Sequence, residues 1–291
     1  MLLTILNIVF PVFAVIGVGT VWGKLHRPDL ALVNRLNMEI FVPALVFAVL
    51  AGKDFQIAAY QQLALGAVAV VVGSGLISWP LAKLLKVDPK TFVPPMMFNN
   101  TGNMGIPLLL LAFGQAALPA AVLVFVIEML LHFTLGLYIL DHRTRMIGLL
   151  KIPIVQAAFA GLLFSFTGWS LPQAVAVPIE MLGQISIPLM LFALGVRLLD
   201  VDLSDLKLGI VGAIVCPVAG MAVAFAVSPW LTLTNDQWGI LLVFAALPPA
   251  VLNFMVAEQY RQEPRQVASI VLIGNLGSLV FIPLALWWAL R

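Results

Sequence analysis

Apolar runs of about twenty residues, separated by short polar breaks, recur along the whole chain. Most of these runs are apolar all round, without a polar stripe, which is the pattern of a helix surrounded by lipid or protein rather than one lying on a wet surface. A helix needs about 20 such residues to cross ~30 Å of hydrocarbon. Cutting the chain at charge clusters and turn signals gives ten segments, at 2–22, 36–51, 58–82, 92–113, 119–140, 152–168, 176–196, 208–228, 238–257 and 267–289. The expected fold class is therefore an all-α polytopic membrane protein with ten transmembrane helices. The first run has no basic residue before it, and Lys24 follows it, so it reads as the first helix rather than a secretory signal.

Composition removes the competing classes. Of 291 residues, 62% are hydrophobic and 10% charged, against roughly 45–50% and about 25% in a soluble globular domain. Too little charge is present to solvate a surface of this size, and the chain is too apolar for disorder. A net charge of +2 leaves no basic face for nucleic acid. The lone Cys216 can form no internal disulfide, and no metal site or cofactor is expected.

The loops alternate in charge. Lys24, Arg27 and Arg35, then Lys83, Lys86 and Lys90, then Arg143, Arg145 and Lys151, then Arg197 and Lys207, then Arg261 and Arg265 fall on one side of a ten-pass arrangement. Only Lys53 and Arg291 fall on the other. The positive-inside rule makes the first side cytoplasmic and places both termini outside, in a cell membrane.

The two halves resemble each other. Pro43, Phe47 and Ala48 of the second segment match Pro188, Phe192 and Ala193 of the seventh. Pro94-Pro95 followed by Asn99 matches Pro248-Pro249 followed by Asn253. With five passes per half, the second half enters the membrane inverted, an arrangement typical of secondary transporters that alternate access around a midplane site.

The Pro-Pro steps predict broken helices. Each proline removes a backbone donor and costs about 3 kcal/mol or more in a helix interior. In lipid such a break survives only where protein or a wet cavity covers it. After the first step come Asn99, Asn100, Thr101, Gly102, Asn103, Gly105 and Pro107 within nine residues. Unwound helices present free N–H groups and partial positive charge toward a ligand, and amides donate to a carboxylate without burying a permanent charge.

The run Asn100-Thr-Gly-Asn-Met104-Gly105-Ile106-Pro107-Leu108 resembles the Asn-Thr-x-x-Met-Gly-Ile-Pro-Leu stretch of auxin efflux carriers, including the plant PIN proteins. Leu247-Pro248 with Phe254, Ala257, Glu258 and Tyr260 is similar to the same family's ninth helix. The resemblance implies the fold shared with bile-acid/sodium symporters. Helices 1, 2, 6 and 7 (1–56 and 152–200) would form a scaffold, and helices 3–5 and 8–10 (57–141 and 207–291) a transport domain holding two crossed, unwound helices. It further implies organic-anion transport by an elevator motion, a homodimer, and a substrate role for Asn100. The chain lacks the plant carriers' long hydrophilic central loop, and compact relatives are often named malonate or other carboxylate permeases.

Site candidates follow. Asn99, Asn100, Thr101, Asn103 and Asn253 are candidate substrate contacts, with Phe47 and Phe192 as cavity walls. Glu128 and His132 lie four residues apart on one helix face. Ionisable groups at membrane depth are costly and mark functional sites, so the pair is a candidate for proton coupling, with a purely structural pair or Na⁺ ligation as alternatives. Glu39, whose repeat partner is Gln184, and Asn275, near the repeat position of Glu128, complete the coupling candidates. The leading function is a secondary carrier for a small organic anion (carboxylate, auxin-like or malonate-like). A sodium-coupled carrier like the bile-acid symporters is the alternative, and a channel or intramembrane enzyme fits less well: no full Gly-x-Ser-x-Gly elbow or His-Glu-x-x-His site is present.

Overall fold

A computed structural model describes residues 1–52, 55–143, 146–199 and 205–291. Lys53 and Arg145 of the charge pattern lie outside the described residues. Each predicted segment falls on helix. In chain order these are α1 (Leu2–His26), α2 (Ala31–Leu50), α3 (Ile57–Leu85), α4a (Pro89–Met97) and α4b (Thr101–Phe113), α5 (Gln115–Leu140), α6 (Pro153–Thr167), α7 (Gln173–Arg197), α8 (Leu206–Val227), α9a (Asn235–Ala245) and α9b (Val251–Tyr260), and α10 (Pro264–Ala289). Among the described residues, seven helices are long and apolar enough to cross a membrane: α1, α2, α3, α5, α7, α8 extended to Trp230, and α10. The other three segments are the 15-residue α6 and the two interrupted helices.

The boundaries have local causes. Pro89, Pro153 and Pro264 open α4a, α6 and α10 at the first turn, where a missing N–H costs nothing. Thr234 and Gln237 form a reciprocal capping box at the start of α9a. Gly114 ends α4b, and Gly168 ends α6 at a positive φ of 68°. Three helices relax into a π-helical turn, at Asn37–Phe41 in α2, Thr101–Gly105 in α4b and His132–Gly136 in α5. Such turns are rare and are found frequently at functional sites.

The helices pack in two groups of neighbours. α1 lies along α7, and α2 packs on both α6 and α7. α8 lies along α10 and α3, while α4a packs on α3 and α9a on α10. The α1–α7 contact is close because both sides lack side chains at the crossing. A Cβ on Gly19 would overlap the Phe192 carbonyl, and one on Gly195 would overlap the Ile16 carbonyl. Thr20 completes the contact by donating to the Gly195 carbonyl at 2.9 Å. Small residues that let backbones approach are the usual means of packing helices where lipid removes the hydrophobic drive between them.

Candidate functional site

The two interruptions meet. Phe98 has extended dihedrals (φ −108°, ψ 106°), as does Ala250 (φ −65°, ψ 141°). Asn99 and Pro249 pair as an isolated antiparallel bridge. The Asn100 N–H donates to the Pro248 carbonyl at 2.7 Å, and the Ala250 N–H donates to the Phe98 carbonyl at 2.9 Å. Each break thus supplies the backbone partners that the other lacks, which meets the requirement that no polar backbone group be left unpaired at membrane depth.

The crossing also corrects the sequence register. Pro94 and Pro95 lie inside α4a, which continues helically to Met97, whereas Pro248 and Pro249 lie in the unwound segment itself. The bridge pairs Asn99 with Pro249, so the two Pro-Pro steps do not occupy matching places at the crossing. The physical reason is that a proline's missing donor disturbs the helix on its N-terminal side, while the point of unwinding is set by where the partner strand pairs.

Buried amides brace the crossing. Asn99 Nδ2 donates to the Phe244 carbonyl at 2.9 Å. Asn253 Nδ2 donates to the carbonyls of Phe98 at 2.9 Å and Ala250 at 3.1 Å. Asn275 Nδ2 donates to Pro249 at 3.1 Å and Val271 at 2.8 Å, while its Oδ1 accepts from Asn100 Nδ2 at 3.0 Å. The Cys216 thiol points at Asn99 Oδ1, 3.4 Å away. Glu128 accepts from the Thr101 hydroxyl. His132 is buried and stacks flat on Phe98, with ring centroids 4.2 Å apart.

A cavity of about 420 Å³ opens beside this crossing. Asn99, Asn100, Gly102, Asn103, Glu128 and His132 line it, together with Ala250, Val251 and Leu252. The N-termini of α4b and α9b therefore both border the cavity, and neither carries a side-chain cap. The glycines are there for proximity: a Cβ on Gly102 would press on the Phe125 ring, itself a cavity wall, and one on Gly105 would meet the Leu247 side chain at 2.7 Å. Pro107 sits buried in the first turn of α4b's regular helix.

The remaining candidates scatter. Glu39 borders the cavity but is half exposed and pairs with Arg35 Nε at 3.0 Å. Asn275 reaches the site only through Asn100, and Asn253 braces the bridge without lining this cavity. Phe47 packs edge-on against Phe164 and lines a different cavity with Ser170 and Glu180. Phe192 packs on Trp22 of α1, away from the cavity. Both aromatics lie away from the cavity because α2 and α7 turn those positions toward α6 and α1.

Other lining residues were not singled out from sequence: Asn34, Asn37, Arg35 and Arg197, with Met255. Arg197 contacts the Met255 sulfur at 3.7 Å. The sequence signal for Asn37 is an amide at the start of an otherwise apolar run, and the charge pattern marks the arginines only as orientation charges. Among the described residues, no cluster of His, Cys, Asp and Glu has the geometry to hold a metal ion.

Comparisons with known proteins agree along the whole chain. The family model described as membrane transport protein matches residues 4–148 and 142–287. An uncharacterized transporter of Methanocaldococcus jannaschii is 24% identical over 98% of both chains. Auxin efflux carrier component 8 of Arabidopsis thaliana is 24% identical over 47% of this chain and 42% of its own. A putative malonate transporter of Rhizobium meliloti is 28% identical over 64% of this chain and 62% of its own.

Proposed function

Because the chain belongs to the membrane transport protein family, that of the auxin efflux carriers, and is a transporter rather than an enzyme, we propose that it is a secondary carrier for a small organic anion. The observation that carries this reading is the meeting of two uncapped helix N-termini, those of α4b and α9b, on one cavity. Free N–H groups and the positive end of each helix dipole favour a negative ligand there. Asn100 and Asn103 add neutral donors, and Arg197 gives the cavity a cationic group beside the Arg35–Glu39 ion pair. The names of two relatives, an auxin efflux carrier and a putative malonate transporter, refer to carboxylates and agree with the same ligand class.

In this proposal the chain makes ten passes as two inverted halves, with both termini outside. α1, α2, α6 and α7 stand still while α3–α5 and α8–α10 move as a transport domain, carrying the crossing from one side to the other in an elevator motion. The bridge and its amides lie within the moving group, so the site travels intact. The protein is a multi-pass homodimer of the cell membrane.

Glu128 supplies the coupling. Its carboxyl stands beside Thr101, at the very N-terminus an anion would use. An ionised Glu128 repels the substrate and a protonated one does not, so proton and anion bind together. Na⁺, held by backbone carbonyls at the breaks as in a bile-acid-symporter-like carrier, is the alternative.

The test is uptake and counterflow of radiolabelled mono- and dicarboxylates in proteoliposomes, with proton and Na⁺ gradients imposed separately. Saturable counterflow that is lost in Asn100→Ala is expected. Stabilisation of the purified protein only by organic cations, or unsaturable flux, overturns the carrier reading.

A further inference from the structure

Asn37 differs from the other buried amides at the site. Asn99, Asn100, Asn253 and Asn275 each donate to a carbonyl or amide of the fold. Asn37 is 8% exposed, lines the cavity from α2, and its Oδ1 is buried with no hydrogen-bond partner among the described residues; Asn253 Oδ1 is unpaired as well, but that amide is anchored through its Nδ2 and does not line this cavity. Buried polar side-chain atoms nearly always find a partner, so an exception calls for an explanation. Asparagine is also a poor helix former, and here it opens the π-helical turn Asn37–Phe41. A leucine of similar size would serve the fold better at such a position. Breaks with local preference that bring the fold no gain are expected where a ligand is handled.

We infer that Asn37 is a specificity-determining residue that accepts a hydrogen bond from the part of the substrate remote from its carboxylate. The unpaired end is the acceptor, so the matching ligand group is a donor, a hydroxyl or an N–H. The substrate class is thereby narrowed to small carboxylates bearing a neutral donor at the far end. The crossing on the transport side holds the carboxylate, and α2 on the scaffold side reads the tail. This inference rests on the anion-carrier reading above.

The test is calorimetric titration of the purified protein with matched acids: propanoate, butanoate and pentanoate against their ω-hydroxy derivatives. At least one hydroxy acid is expected to bind about tenfold tighter than its parent, the worth of one neutral hydrogen bond. Asn37→Leu and Asn37→Ala should each erase that preference, leave binding of the parent acid within about twofold, and melt at or above the wild-type temperature. A fold-holding amide would instead lower the melting temperature. Parent acids that bind while no hydroxy acid gains, or a preference that survives in both variants, overturn the inference and leave the carrier reading standing. Failure of every acid to bind overturns this inference, while the carrier reading stands or falls on the counterflow of mono- and dicarboxylates described above.

Discussion

At the residue scale, the site is a set of neutral amides around one carboxyl, and each amide has a separable duty. Asn275 joins three partners: the Asn100 amide and the carbonyls of Pro249 and Val271. Asn275→Ala leaves two of these, the Asn100 amide and the Pro249 carbonyl, without that partner in a buried place, at about 1–3 kcal/mol for each group stranded. A melting temperature lowered by several degrees in detergent is expected, together with weaker substrate binding, because Asn100 loses its brace. Glu128→Gln keeps an oxygen that can accept from Thr101 but has no proton to exchange. Uptake in proteoliposomes should persist in this variant and lose its dependence on pH, whereas wild-type uptake should rise as the pH falls and Glu128 gains its proton. A Gln variant with an unchanged pH profile would exclude Glu128 from coupling.

At the element scale, close helix approaches and the cross-linked breaks decide the architecture. Gly195→Ala places a methyl group against the Ile16 carbonyl, so α1 and α7 must separate. Overpacking of this kind costs about 1–3 kcal/mol, and loss of monodisperse protein in size-exclusion chromatography is expected. Gly17, on the facing helix α1, has open space around its Cβ position, so Gly17→Ala should be neutral or stabilising by up to about 1 kcal/mol. The contrast separates the crossing from glycine content in general. These elements were largely legible: hydropathy located each segment, and proline chemistry located the two interruptions. What escaped was the register of the crossing, since Pro94-Pro95 and Pro248-Pro249 look equivalent in sequence but only the second pair lies in the unwound stretch. Backbone pairing between segments about 150 residues apart leaves no trace in local pattern. The cavity-facing amides were partly legible for the same reason. The Asn-rich run announced itself, while Asn37 and the two arginines depend on which way α2 and α7 are turned.

At the scale of the whole molecule, one cavity reaches from the crossing to Arg35 and Arg197, which the charge pattern assigns to the side predicted to carry most of the basic residues. If that side is cytoplasmic, the structure is open inward. Cys216 is the chain's single cysteine and is 1% exposed, so the wild-type protein should resist a membrane-impermeant maleimide and can serve as its own background. Asn34→Cys, at the cavity wall, should be labelled from the inside in inverted vesicles and protected by bound carboxylate. Labelling from the outside of intact cells alone would reverse the orientation. Both termini outside, as the charge pattern predicts, would show as protease-accessible tags at either end.

The bridge between Asn99 and Pro249 is held by main-chain atoms alone at its two central bonds. A joint of that kind takes its central pairing from no side chain, so residues that line the hollow without bracing the crossing are free to vary. A lineage of such proteins can therefore exchange cargo by altering what projects into the hollow, with no compensating change in the knot that ties the halves together.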